Sequence, residues 1–135
     1  MRPPKPTLTD HELEFMQIVW RRGQATVRDV YEELLQGRKI AYTTVMTTMK
    51  TLEQKGFLKI SRQNRAYIYR PAEPQQKVVK RMVQDFLDRV FHGSAQPLVA
   101  HLVKEKHVSE SDLAEITRLI EEDRRTQKTT QRKKP

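Results

Sequence analysis

Ala41 to Gly56, AYTTVMTTMKTLEQKG, is the stretch whose reading decides the fold. At about 100° per residue, a helix here gathers Val45, Met49 and Leu52 on one narrow stripe, with Thr48 beside them. Opposite project Thr43, Thr47, Lys50 and Gln54, flanked by Thr44 and Met46, and no carboxylate joins them before Glu53. A helix facing only water mixes Glu with Lys. This one offers hydroxyls, an amide, an ammonium and a thioether, which suit phosphate oxygens, base edges and thymine methyls. Thr is also a poor helix former, so Thr43, Thr44, Thr47 and Thr48 together cost local stability and point to a use. The stretch reads as a DNA-reading helix, with an ordinary polar surface helix as the alternative.

Working outward, the flanking segments complete a known arrangement. Thr9 and Glu12 form a capping box for a helix that Gly23 stops, with Leu13, Met16 and Trp20 on one face and Phe15, Ile18 and Val19 elsewhere. That helix is buried on more than one side. Thr26 with Asp29 opens a second helix carrying Val27, Val30, Tyr31 and Leu34 at amphipathic spacing, ended by Gly37. The link Arg38-Lys39-Ile40 is short, and Gly56 closes the third helix as its C′ residue. Phe57 to Ser61 and Ala66 to Arg70 are β-rich segments around Arg62-Gln63-Asn64-Arg65, a hairpin with a basic tip. Three helices and a hairpin in this order predict a winged helix-turn-helix over residues 9–71, after a Pro- and Lys-rich arm over 1–8.

Pro71 and Pro74 break the chain before a long helix to about Phe91. Its residues Val78, Val79, Met82, Val83, Phe86, Leu87, Val90 and Phe91 cover an arc of about 220°, more than one core face needs. Two shorter helices follow, one over Pro97 to Glu105 with Leu98, Val99, Leu102 and Val103, the other from the Ser109 cap with Leu113, Ile116, Leu119 and Ile120. Some fifty residues in three apolar-striped helices make a poor core alone. Residues 72–122 therefore read as a helical dimerisation domain, through Val79, Met82, Val83, Phe86, Val90, Leu98, Leu102, Leu113, Ile116 and Ile120, with an intramolecular three-helix bundle as the alternative. The fold class expected is mainly α with a small β-hairpin wing. Residues 123–135 read as a disordered basic tail.

Charge follows the same division. The 135 residues carry a net +9, with 13 Lys and Arg against 7 Asp and Glu in residues 1–71, 7 against 9 in 72–122, and 6 against 1 in 123–135. An anionic partner is expected for the first part and the tail. There is no cysteine, which excludes disulfides, thiolate metal sites and thiol nucleophiles. No apolar run approaches a membrane span, and the N-terminus lacks a signal-peptide core, so a cytoplasmic location without membrane insertion is expected. His11, His92, His101 and His107 share no ligand spacing, and no catalytic set stands out. Neither a cofactor nor an enzyme is expected.

With these residues located, the chain resembles the penicillinase-repressor (BlaI/MecI/CopY) family over about residues 8–122. The resemblance is carried by LTDHELEFMQIVW, ATVRDVYEELL, IAYTTVMTTMKTLEQKGFL and the hairpin ending in YIYRP. It implies a homodimeric repressor on a double-stranded DNA operator with dyad symmetry, released when a membrane sensor metalloprotease leads to cleavage in the dimerisation region. The staphylococcal cleavage pair, Asn-Phe, corresponds here to His101-Leu102. The cysteine cluster of the copper-responsive branch is absent.

The resemblance and the facing of the helix make Thr43, Thr44, Met46, Thr47 and Lys50 the candidates for base contacts. Arg38 and Lys39 before the helix, with Arg62 and Arg65 on the wing, are the candidate phosphate clamps. A nonspecific architectural DNA binder is the alternative function, and a protein-interaction adaptor a further one.

Overall fold

Thr9 and Thr26 each start a helix by the same reciprocal device. Thr9 Oγ1 accepts from the Glu12 N–H at 3.1 Å while the Glu12 carboxylate accepts from the Thr9 N–H at 2.9 Å. Thr26 and Asp29 repeat this at 3.0 Å in both directions. Each box satisfies backbone donors that a helix start leaves open. The computed structural model describes residues 7–132, with side chains through residue 127. In it these boxes open α1 (Asp10–Arg22) and α2 (Val27–Leu35). There follow α3 (Tyr42–Gln54), strands β1 (Leu58–Gln63) and β2 (Ala66–Pro71), and helices α4 (Gln75–Phe91), α5 (Gln96–Lys104) and α6 (Glu110–Arg132).

The chain divides between Val83 and Gln84 into two compact units. The first has a continuous core in which Phe15, Met16, Val19, Val30, Val45, Met49 and Leu52 are wholly buried. Thus α3 sinks the stripe its periodicity defines. At its end Gly56 takes a φ of 90°, a conformation that L side chains resist. The chain turns there so that the Phe57 N–H reaches Leu52 O at 2.9 Å. Strands β1 and β2 pair antiparallel from Leu58 with Pro71 to Gln63 with Ala66. Ala25 adds a one-residue third strand, exchanging hydrogen bonds of 2.9 and 2.8 Å with Tyr69. The first unit is a winged helix-turn-helix.

An ion pair joins α1 to the end of α3. Glu12, only 6% exposed, accepts from Lys55 Nζ at 2.8 Å, and the same ammonium reaches Thr7 O at 3.3 Å. Burial alone pushes the Glu12 carboxyl up, but the hydrogen bonds from Lys55 and from the Thr9 backbone, with the Lys55 charge, outweigh it and hold the carboxyl below its ordinary value.

Four expectations need correction. The first unit does not end at residue 71. The first half of α4 belongs to it, because Val78 enters the core at 2% exposure, Arg81 grips the Glu73 carboxylate at 2.6 and 3.0 Å, and Trp20 Nε1 donates to Glu73 O at 3.1 Å. Met82, assigned to dimerisation, for the same reason packs against that core. The arm is shorter than eight residues, since Leu8 also packs there; residues 1–6 lie outside the described ones. Finally, the tail expected to be disordered continues α6 as helix through Arg132. Arg, Gln and Lys are good helix formers, and extending an existing helix avoids the nucleation cost. Gln127, donating to Asp123 one turn before it at 3.1 Å, adds support.

The second unit holds α5, α6 and the end of α4. Ser109 and Asp112 form a third capping box, at 2.9 and 3.0 Å. Among its described residues none is buried. Val90, Val99, Val103, Leu113, Leu119 and Ile120 are each about half exposed. An apolar surface of this kind is not a finished core.

Replacing Lys55 by Met tests the α1–α3 ion pair. The lowered Glu12 carboxyl contributes stability above about pH 4.5, its ordinary value, and this is lost as pH falls through the folded value. Lys55→Met is expected to cost about 1–3 kcal/mol at neutral pH and to flatten the acid side of the stability curve, as measured by urea unfolding between pH 3 and 7. An unchanged acid limb would remove Lys55 as the cause.

Candidate nucleic-acid interface

Helix α3 carries the candidate site because its buried stripe leaves the opposite face outward. Thr43, Thr44, Met46, Thr47 and Lys50 are all exposed, Met46 at 48%. Thr47 Oγ1 donates to Thr43 O at 2.9 Å. Its proton is thereby used, and the hydroxyl faces outward as an acceptor, suited to an amino group. Thr48 is different: it is buried and meets His11 Nε2 at 3.1 Å. The residue before α3, Ala41, supplies no side-chain cap, so the first-turn N–H groups have no side chain closing over them.

The four candidate phosphate clamps divide. Lys39 is exposed. Arg38 is engaged, its guanidinium 2.8 Å from Glu14 and 3.3 Å from His11 Nδ1. Because a guanidinium only donates, this places the lone pair of His11 on Nδ1 and its proton on Nε2, toward Thr48. Arg62 and Arg65 stand exposed at the wing tip, Arg62 over the ring of Tyr67 at 6.0 Å. The tip is a two-residue turn in which Asn64 and Arg65 have φ of 48° and 68°. Such a hairpin turn favours Asn then Gly. Arginine at the second position is held against its backbone preference. Of the tyrosines, Tyr69 is buried and Tyr67 is 57% exposed.

Sequence reasoning missed Tyr42 and Arg28. Tyr42, the first residue of α3, meets the Tyr31 ring edge-on at 5.2 Å and lies under the Arg28 guanidinium at 5.8 Å. The only signal was the aromatic at the head of a polar helix. Lys59 and Arg70 are also directly paired across the wing strands. Arg70 is held by Gln24 at 3.1 Å and Ser61 at 3.4 Å.

The residues assigned to dimerisation fall in both units. Val79, Met82 and Val83 lie in the first; Phe86, Val90, Leu98, Leu102, Leu113, Ile116 and Ile120 lie in the second. The Phe86 ring contacts Phe91 at 5.9 Å yet Phe86 remains 39% exposed. His101, exposed, and Leu102, half-buried, lie within α5. No helix among the described residues is long and apolar enough to cross a membrane.

A core-anchored recognition helix whose outer face lacks carboxylates, beside a basic wing, defines the winged helix-turn-helix regulators as a class. More narrowly, residues 8–122 match the penicillinase repressor family, and the chain belongs to it. It is 35% identical over 107 residues to the transcriptional regulator BlaI of Mycobacterium tuberculosis, covering 78% of each chain. It is 24% identical over 123 residues to the penicillinase repressor of Bacillus licheniformis, covering 91% of this chain and 96% of that one. The solution structure of monomeric B. licheniformis BlaI with the blaP half-operator aligns at a TM-score of 0.48 and 26% identity, covering 54% of this chain and 89% of that one.

Arg65→Gly separates the wing's charge from its conformation. Relief of the left-handed arginine is expected to raise stability by as much as about 1 kcal/mol, while loss of the charge weakens binding to any duplex DNA. Thermal unfolding and a DNA titration on the same variant check this; parallel loss of both would show that Arg65 serves the fold.

Proposed function

We propose that this chain is a sequence-specific DNA-binding transcriptional repressor acting as a homodimer on a dyad-symmetric operator. The observation that carries the reading is the division of α3 into a wholly buried apolar stripe and an exposed face of hydroxyls, Met46 and Lys50. A helix anchored that way projects its first turn into the major groove, where Thr43, Thr44, Met46, Thr47 and Lys50 meet base edges. Thr47, as an acceptor, matches an adenine or cytosine amino group. Met46 matches a thymine methyl and Lys50 a guanine or phosphate. Lys39, Arg62 and Arg65 then hold phosphates and set register, and Arg38 joins them only by leaving Glu14. The family's repressors support the same role. Nothing in this reading requires catalysis or a cofactor.

The second unit supports the homodimer. Its apolar face is completed by a second copy through Phe86, Val90, Leu98, Leu102, Leu113, Ile116 and Ile120. Two linked recognition helices gain affinity because binding of one raises the effective concentration of the other. Cutting at His101-Leu102, under the control of a membrane sensor metalloprotease, would dissolve that linkage and release the operator without a small ligand. The bond lies inside α5, which must unwind locally to be cut.

The test titrates the protein, in about 150 mM salt, against the duplex upstream of its own gene and against scrambled DNA of equal length. A preference of about a thousandfold, with two protected half-sites a whole number of turns apart, is expected; equal binding to both favours an architectural DNA binder. Thr47→Ala should weaken operator binding by roughly 1–3 kcal/mol and leave scrambled DNA nearly unaffected. In sedimentation, Phe86→Ala should move the dimer toward monomer, at about 3–5 kcal/mol for a phenyl buried between copies; an unchanged dimer would place the interface elsewhere.

A further inference from the structure

Beside the first turn of α3 stands a cation that charge patterning did not single out. Arg28, on α2, lies with its guanidinium 5.8 Å from the centre of the Tyr42 ring. Tyr42 is itself steadied by the edge-on ring of Tyr31. A guanidinium drawn to an aromatic face has part of its freedom already restricted, while its N–H groups stay able to bind. The other neighbour of Arg28 is Glu32, one helical turn on, at 3.6 Å with both side chains more than 60% exposed. Such a pair is weak, and a phosphate can replace it.

We propose that Arg28 clamps a backbone phosphate beside the groove entered by α3, and that Tyr42 is its positioning residue. This rests on the DNA-binding reading above and extends it to two residues outside the recognition face. Tyr42 immediately precedes Thr43 and Thr44, so its ring, and the guanidinium on it, stand next to the turn that goes deepest. Arg28 belongs to α2, and α3 occupies the groove; the arginine therefore reaches the sugar–phosphate edge rather than a base. The Arg38 guanidinium is held at 2.8 Å by Glu14 and by His11, whereas Arg28 has only a long pair and an aromatic seat.

A phosphate clamp leaves a signature that a structural arginine does not: it changes the number of counterions released. The upstream duplex and a scrambled duplex are each titrated across a range of salt with the wild-type chain, Arg28→Ala, Tyr42→Leu and Tyr42→Phe. Thermal unfolding confirms that each variant is folded. For Arg28→Ala the slope of log affinity against log salt should shrink by about 1 per bound protomer, with about a tenfold loss near 0.1 M salt, on both duplexes alike. Tyr42→Leu should lose several-fold in affinity with the slope intact, and Tyr42→Phe, which keeps the ring, should match wild type. If Tyr42→Leu fails to fold, Arg28→Ala and Tyr42→Phe still decide. An unchanged slope for Arg28→Ala overturns the clamp, as does a loss confined to the upstream duplex, which would mean base reading. A loss in Tyr42→Phe overturns the positioning role by showing that the phenol itself makes the contact. Failure of the operator reading looks different: the wild-type chain would bind both duplexes equally, while the reduced slope of Arg28→Ala would persist.

Discussion

The rest of the first unit depends on the burial of a single stripe of α3. With Val45, Met49 and Leu52 wholly enclosed, the helix cannot rotate about its axis without lifting three side chains out of a close-packed core. Two polar contacts to α1 add to this at different levels. His11 meets Thr48 near the middle of α3, and Glu12 holds Lys55 just past its end. Both are set by α1, whose start is itself fixed by the Thr9 and Glu12 capping box. One carboxylate thus caps a helix and anchors another. A rigid helix presenting polar side chains outward is what base reading requires, because a contact misplaced by an ångström is lost.

The two units solve opposite problems. The first closes its core with the start of α4, which brings Val78 into it and Met82 against it. The second has striped helices, well capped at Ser109, and no buried residue among those described. Its helices keep their backbone bonds and local ion pairs, such as Arg118 with Glu115 and Glu122, but exposed pairs of this kind contribute little. A surface in this condition gains by being covered, and the second copy proposed above would cover it. The same incompleteness would make a dimeric repressor switchable, since damage to a shared core acts on both halves at once.

Much of this was legible from the chain. The capping box at Thr9, the helix starts at Thr26 and Ser109, glycines at 23 and 56, and the 3.6-residue stripes placed six helices and a hairpin because each signal is local. The outward set on α3 was legible for the same reason: a stripe that is buried dictates which residues are not. What was missed was non-local or cooperative. The third strand is one residue, Ala25, recognised only by its bonds to Tyr69. Residues 123–132 looked disordered because composition alone was weighed, without the helix they extend. Arg38 looked available because its partners, Glu14 and His11, are more than twenty residues distant in sequence.

By itself, then, the amino-acid sequence determined the elements, their order, the inward and outward faces of α3, and the family to which the chain belongs. These follow from periodicity and from motifs spanning a few residues. Tertiary structure decided where the first unit ends and which arginines are engaged. It also decided that Arg28 and Tyr42 stand together at the head of α3, and that Arg65 is held in a left-handed turn. Those outcomes depend on distances between groups remote in sequence, and on which of several competing partners a side chain reaches once the core has closed.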